Sequence, residues 1–186
     1  MLLTLIAYDS LHKNLYVTHG VPDNFGDSPL PSVYVISVET NTLLNDIAVA
    51  HEKINDLEYN AANGDIYATV SRNFEGSHDS LYVISGLSQE VIETITIPPN
   101  PETTTRSLNT IGIDHMNNLI YVSTTYPDTS YVVSGLSNKI ISAIPLSPST
   151  PSCLSSHSYA IDNDHSKLFI SNPCHGTVTA ITTVSI

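Results

Sequence analysis

One pattern constrains this chain before composition is considered: four segments superimpose on a column of aromatic residues, Tyr16, Tyr67, Tyr121 and Phe169. They read Leu15-Tyr16-Val17-Thr18, Ile66-Tyr67-Ala68-Thr69, Ile120-Tyr121-Val122-Ser123 and Leu168-Phe169-Ile170-Ser171. Each has the two-residue alternation of a strand and ends in a hydroxyl residue. Seven residues before each aromatic stands Asp9, Asn60, Asp114 or Asp162, preceded by an apolar run such as Leu5-Ile6-Ala7-Tyr8. Asp and Asn there can close an Asx turn between two strands. A third strand follows in register: Ser32 to Ser37, Ser80 to Ser85, Thr129 to Ser134 and Thr177 to Thr182. A fourth, Thr42 to Val49, Glu90 to Ile97 and Lys139 to Leu146, is present in three of the repeats.

The aromatics stand 51, 54 and 48 residues apart, close to the period of four-stranded propeller blades. The expected architecture is all-β: a single β-propeller domain of antiparallel four-stranded sheets arranged radially, with blades over 4–49, 54–97, 108–146 and 157–186. The fourth repeat reaches Ile186 where its outermost strand should begin, so the reading favours a piece of a longer propeller over an unusually closed ring. Composition agrees, with 41% hydrophobic and 13% charged residues, ten Tyr and no Trp, a balance that favours strands over helices. The Pro98-Pro99-Asn100-Pro101 and Ser147-Pro148-Ser149-Thr150-Pro151 stretches read as stiff inter-blade loops, because the repeat resumes in register after each.

Charge removes several function classes. The formal net charge is −12 with six Lys and Arg, so no basic stripe is available to neutralise phosphates, and nucleic acid is not an expected partner. Anionic lipid would repel such a surface, and no run of about 18 apolar residues offers a membrane-inserting helix. The N-terminal Met-Leu-Leu-Thr-Leu-Ile-Ala lacks a basic flank and meets Tyr8 and Asp9 too early to read as an export signal.

The repeats resemble the YVTN-type β-propeller family of surface-layer and other extracytoplasmic proteins. Asn14-Leu15-Tyr16-Val17-Thr18, Asn118-Leu119-Ile120-Tyr121-Val122-Ser123 and Leu168-Phe169-Ile170-Ser171-Asn172 carry the resemblance, with the continuation from Ser32 through Glu39-Thr40-Asn41-Thr42. It covers essentially the whole chain and implies binding or scaffolding at the cell surface or in the periplasm. Related propellers also support metal, haem and lactone chemistry. The shortened fourth repeat and the long Pro-rich loops depart from the family pattern, so closure with seven blades does not carry over.

Blade geometry places the loops between second and third strands, and those between blades, on one face near the central channel. That loop face is expected to receive His19, Asp23, Asp27, His51, Arg72, His78, Arg106, Asp128, His157, His175, Cys153 and Cys174, while His12, His115 and His165 fall opposite. Neutral imidazoles converging on a channel could hold copper or zinc, and His19, His78, His157 and His175 are the candidates. The bland alternative is solvated loop histidines, because no His-x-His, His-x-x-x-His or Cys-x-x-Cys spacing is present. Cys153, His157, Cys174 and His175 could form a Cys2His2 site. The extracytoplasmic family likeness favours instead a disulfide between Cys153 and Cys174, closing a loop of about twenty residues for ~3 kcal/mol.

Asp162-Asn163-Asp164 lacks the glycine and distal glutamate of a calcium loop and reads as a turn. Glu58 occupies an inner-strand position held by Ala7, Gly112 and Ala160 in the other repeats. It could act as a channel base, but a single carboxylate there is more often solvated or paired, with Arg72 or Arg106 as candidate partners. No Gly-x-Ser-x-Gly elbow supports Ser-His-Asp hydrolysis.

The reading is therefore a non-catalytic binding or cell-surface scaffold module with no cofactor, taking a protein or small-molecule ligand on the face of His19, His51, Arg72, His78, Arg106, His157 and His175. The alternatives are a copper or zinc redox or enzymatic propeller and a lactonase-like hydrolase. A protein-binding role predicts an exposed apolar or Tyr-rich patch, or self-association through the incomplete fourth blade.

Overall fold

The computed structural model describes residues 5–19, 32–49, 53–71, 79–98, 107–125, 128–146 and 157–183. Every regular element among them is a strand. The first sheet contains β1 (Ile6–Asp9), β2 (Asn14–His19), β3 (Ser32–Ser37) and β4 (Thr42–Ala48), and the second β5 (Lys53–Asn60), β6 (Asp65–Ser71), β7 (Ser80–Ser85) and β8 (Val91–Thr96). The third contains β9 (Ser107–Asp114), β10 (Leu119–Thr125), β11 (Thr129–Ser134) and β12 (Lys139–Pro145). The fourth has β13 (Tyr159–Asp162), β14 (Lys167–Asn172) and β15 (Thr177–Thr182). Each is an antiparallel meander with strands side by side in chain order, as the repeat alignment predicts.

Local turn chemistry sets the register. Asp9 Oδ1 accepts the backbone N–H groups of Leu11 at 2.9 Å and His12 at 3.0 Å. Asp114 Oδ1 does the same for Met116 and Asn117, both at 3.0 Å. Asn60 Oδ1 accepts from Ala62 at 3.0 Å and Asp162 Oδ1 from His165 at 3.2 Å. Each turn is then closed by a residue with positive φ: Lys13 at 59°, Gly64 at 81°, Asn118 at 52° and Ser166 at 52°. The side-chain oxygen supplies an acceptor that a chain reversing this sharply otherwise lacks, and the left-handed residue aims the next strand back along the first. The expected Asx turns are present in all four repeats.

The inner strands pack in chain order, β1 on β5, β5 on β9 and β9 on β13. Because successive side chains alternate, every sheet has two faces, and adjacent sheets bury one face each. Ala7, Tyr16, Val33, Val35 and Ile47 of the first sheet meet Leu57, Ile66, Ala68, Tyr82 and Ile84 of the second. Tyr67, Leu81, Val83 and Ile95 on its other face meet Ile111, Ile120, Val122 and Val133 of the third. Tyr121 and Val132 of the third meet Leu168 and Ile170 of the fourth. Tyr16, Tyr67 and Tyr121 of the aromatic column therefore lie on the face that each of the first three blades turns to its successor. At roughly 1.5–3 kcal/mol for each large side chain removed from water, these interfaces are the main cohesive term.

The buried tyrosines differ in what their hydroxyls meet. Tyr67 accepts from Asn63 Nδ2 at 2.9 Å and donates to Asn138 Oδ1 of the next blade at 3.0 Å, whereas the Tyr16 hydroxyl reaches Gly86 O at a long 3.4 Å. Burial pushes the Tyr67 hydroxyl pKa up to about 12, so it stays protonated across the working range. Tyr67→Phe removes the donor to Asn138 and one of the two acceptors of Asn63 Nδ2, which keeps Gly135 O at 3.0 Å, and is expected to cost about 1–2 kcal/mol, against about 0.5 kcal/mol or less for Tyr16→Phe, as read by chemical denaturation.

Candidate functional site

Strand direction sorts the side chains onto two faces. The β1–β2 and β3–β4 turns and their counterparts lie on a turn face. The connections β2–β3, β6–β7, β10–β11 and β14–β15, with those between sheets, lie on a loop face. Of the residues expected on the loop face, His51, Arg72, His78, Arg106, Cys153, Asp23 and Asp27 lie outside the described residues, and of His19 only the backbone, ending β2, is described.

His157 sits just before β13 and is 1% exposed. Its Nδ1 lies 2.8 Å from Ser171 O and its Nε2 3.1 Å from Asp128 Oδ1. A carbonyl oxygen only accepts, so Nδ1 donates to Ser171 O, and Nε2 faces the Asp128 carboxylate. Asp128 leads into β11, where its own carbonyl accepts the Leu146 N–H at 2.9 Å. The pair thus ties the start of the fourth blade to the third. With both nitrogens engaged inside the protein, neither faces an open site for a metal, so His157 could join His19, His78 and His175 at copper or zinc only by giving up one of these contacts.

His175 lies in the β14–β15 turn, where its N–H meets Asn172 O at 3.2 Å. Its neighbour Cys174 is disulfide-bonded, and the other of the chain's two cysteines is Cys153. Among the described residues no three His, Cys, Asp or Glu side chains gather as a metal site.

The innermost strand of the second blade carries two carboxylates on one face, Asp56 and Glu58. Asp56 Oδ2 accepts the Ile111 N–H of the third blade at 2.8 Å, so it bridges blades. Burial raises its pKa above the ordinary carboxylate range, against the pull of the Ile111 and Leu57 N–H groups. Glu58 is raised first by desolvation and then by the charge of Asp56; its exposure screens that shift. Asp56 was not singled out from sequence, although it stands two positions before Glu58 and so shares its side of the strand.

A group whose native pKa lies above its unfolded value binds more protons when folded, so the stability it contributes falls as pH rises through the native pKa. Asp56→Asn keeps an acceptor for Ile111, gives up the one that Leu57 N–H meets, and removes the disfavoured charge, as protonation of the native carboxyl does. The variant is expected to match or exceed the parent at pH 7 by less than about 1 kcal/mol, given partial exposure. The difference should disappear below the ordinary carboxylate range, in melting curves taken from pH 3 to 7.

On the turn face, His12 and His165 are bonded to the carboxylates that close their own turns, His12 Nδ1 to Asp9 Oδ2 at 2.7 Å and His165 Nδ1 to Asp162 Oδ2 at 2.8 Å. His165 holds the Asp162 carboxyl below its usual range. His115 Nδ1 faces Asn60 Oδ1 at 3.3 Å. Four of the turn tips are apolar: Leu11, Leu87, Met116 and Leu136 are between 67% and 90% exposed. Sequence reading passed over these four because each is a single apolar residue within a polar turn.

No family model matches the chain, and no curated protein matches it. Solved structures do. The Dos1 propeller is similar over 96% of this chain and 43% of its own, with a TM-score of 0.68 and 13% identity. The architecture is that of a β-propeller. Hydrazine synthase of Kuenenia stuttgartiensis matches 89% of this chain and 42% of its own, with a TM-score of 0.65 and 13% identity. The Cps50 (Swd1) β-propeller domain of Myceliophteria thermophila matches 90% and 47%, with a TM-score of 0.59 and 10% identity. The chain therefore spans less than half the length of these propeller structures, and identities this low speak to fold alone.

Proposed function

We propose that this chain is a non-catalytic propeller module that binds a partner protein, in the manner of an extracytoplasmic YVTN-type scaffold. The observation that carries the reading is the set of apolar tips, Leu11, Leu87, Met116 and Leu136, presented to water on short hydrogen-bonded turns, closed by Asx bonds at Leu11 and Met116 and by backbone bonds at Leu87 and Leu136. Side chains on a preorganised backbone lose little further conformational freedom on binding, and exposed apolar groups on one face are a mark of protein contact. The Cys174 disulfide supports an oxidising compartment.

The metal reading is weaker because His157 is committed to Ser171 and Asp128. The hydrolase reading has Asp56 and Glu58 on one strand, but Asp56 is engaged with the Ile111 backbone. Native mass spectrometry of untagged protein, with and without chelator, tests the proposal. A metal-free chain that gains two mass units on reduction is expected. Stoichiometric copper or zinc that is lost on substitution of His175 would transfer the assignment to a metal centre on the loop face.

A further inference from the structure

The outermost strands of the first three blades share an irregularity. In β8, Glu93 pairs with Val83 and Val91 with Ile84, so Ile92 between them is an extra residue with no counterpart across the ladder. Leu44 of β4 and Ile141 of β12 are skipped in the same way. A bulge interrupts the row of N–H and C=O groups at a sheet edge and so discourages addition of another strand. Pro145, at the end of β12, removes one more donor. Edges guarded in this way are ordinarily polar as well. Here the bulged residue is a large aliphatic one in all three blades, 48% exposed at Leu44, 50% at Ile92 and 41% at Ile141.

Packing between blades does not hide these side chains. The second blade lies between the first and third, and the third between the second and fourth, yet Ile92 and Ile141 stay in water. The turn that leads into each of these strands presents a second aliphatic residue, Leu87 at 81% and Leu136 at 90% exposed. Leu87 with Ile92 and Leu136 with Ile141 are therefore equivalent outer corners, one repeat apart. Charge narrows what can cover them. The ionic groups on the outer turns and outermost strands of the first three blades are Glu39, Asp46, Glu90 and Glu93 against Lys139, all exposed. A second copy of this chain, with its formal charge of −12, or an anionic lipid surface would bring like charge to these corners, whereas a cationic partner is attracted.

We propose that the outer corners of the second and third blades dock a cationic amphipathic segment of a partner protein, its apolar side chains resting on Leu87, Ile92, Leu136 and Ile141 and its Lys or Arg groups facing Glu90 and Glu93. Docking uses side chains, because the bulges leave no regular edge for strand addition. The inference rests on the partner-binding reading and gives that partner a place and a chemistry.

Fluorescence anisotropy of a labelled amphipathic helix built from leucine and lysine, titrated with the protein at physiological salt, gives the test. A helix of the same length built from leucine and glutamate is the charge control. Saturable binding of the lysine peptide is expected, weakening as salt rises, with none of the glutamate peptide. Ile92→Ser with Ile141→Ser should lower the affinity by about tenfold or more, and Leu87→Ser with Leu136→Ser should do the same. Glu90→Gln with Glu93→Gln should flatten the salt dependence. All six positions are exposed, so an unchanged melting curve serves as the control for folding. Failure of the lysine peptide to bind, binding indifferent to both aliphatic pairs, or equal binding of the glutamate peptide overturns the inference. Binding lost instead in Leu11→Ser with Met116→Ser, and kept in the corner variants, overturns the place proposed here while leaving the partner-binding reading intact. Native mass spectrometry decides that reading separately.

Discussion

Asp128→Ala is expected to lower the melting temperature by roughly 6–12 °C. The substitution leaves the His157 ring, 1% exposed, with one nitrogen facing no acceptor inside the third and fourth blades. Breaking one half of a buried charged or hydrogen-bonded pair costs about 3 kcal/mol, and a domain of this size shifts by about 2–4 °C per kcal/mol. Because the lost interaction joins two blades, the fourth blade should loosen first, which hydrogen exchange of the β13–β15 amides would report. His157→Ala should cost a similar amount, and the double variant clearly less than the sum of the two, the signature of direct coupling. Additive costs would show that the two side chains act independently of each other.

The second large effect is expected at Gly112. A Cβ placed there would stand 2.5 Å from Tyr159 Cβ and 2.6 Å from its Cγ, so the obstacle is the root of a side chain and not its flexible end. Tyr159 cannot easily retreat: its hydroxyl is bonded to Ser130 Oγ at 2.8 Å and its ring lies 6.1 Å from that of Tyr121. Gly112→Ala should therefore cost about 3 kcal/mol by overpacking, with a fall in melting temperature again near 6–12 °C. In the Gly112→Ala, Tyr159→Gly double variant, the space left by the Cβ and the ring admits the new methyl group, so the combined cost should fall short of the sum. A methyl group at Gly112 that is tolerated without loss would mean that the third and fourth blades stand further apart than described.

The legibility of these features in the sequence follows their range along the chain. Strand positions were readable because alternation is a property of neighbouring residues, and the third strands Ser32–Ser37, Ser80–Ser85, Thr129–Ser134 and Thr177–Thr182 fall where the repeat alignment puts them. The turns at Asp9, Asn60, Asp114 and Asp162 were readable because an Asx oxygen bonds backbone two or three residues on. Assignment of side chains to the loop face or the turn face followed from counting strands.

What those side chains do was not readable. His157 resembled a metal-ligand candidate in sequence, and its binding to Asp128, 29 residues away, depends on how the third and fourth blades approach. Asp56 shares the strand face of Glu58 by simple alternation, yet its bond to Ile111, 55 residues away, exists only once two inner strands lie side by side.

Sequence alone therefore determined the repeat, the strands, the turns and the two faces, all consequences of interactions within a few residues. The tertiary structure decided which buried polar groups meet, why Gly112 must lack a side chain, and which apolar side chains remain exposed. Those outcomes depend on the spacing and tilt between blades, a geometry set by the packing of whole sheets and carried by no single repeat.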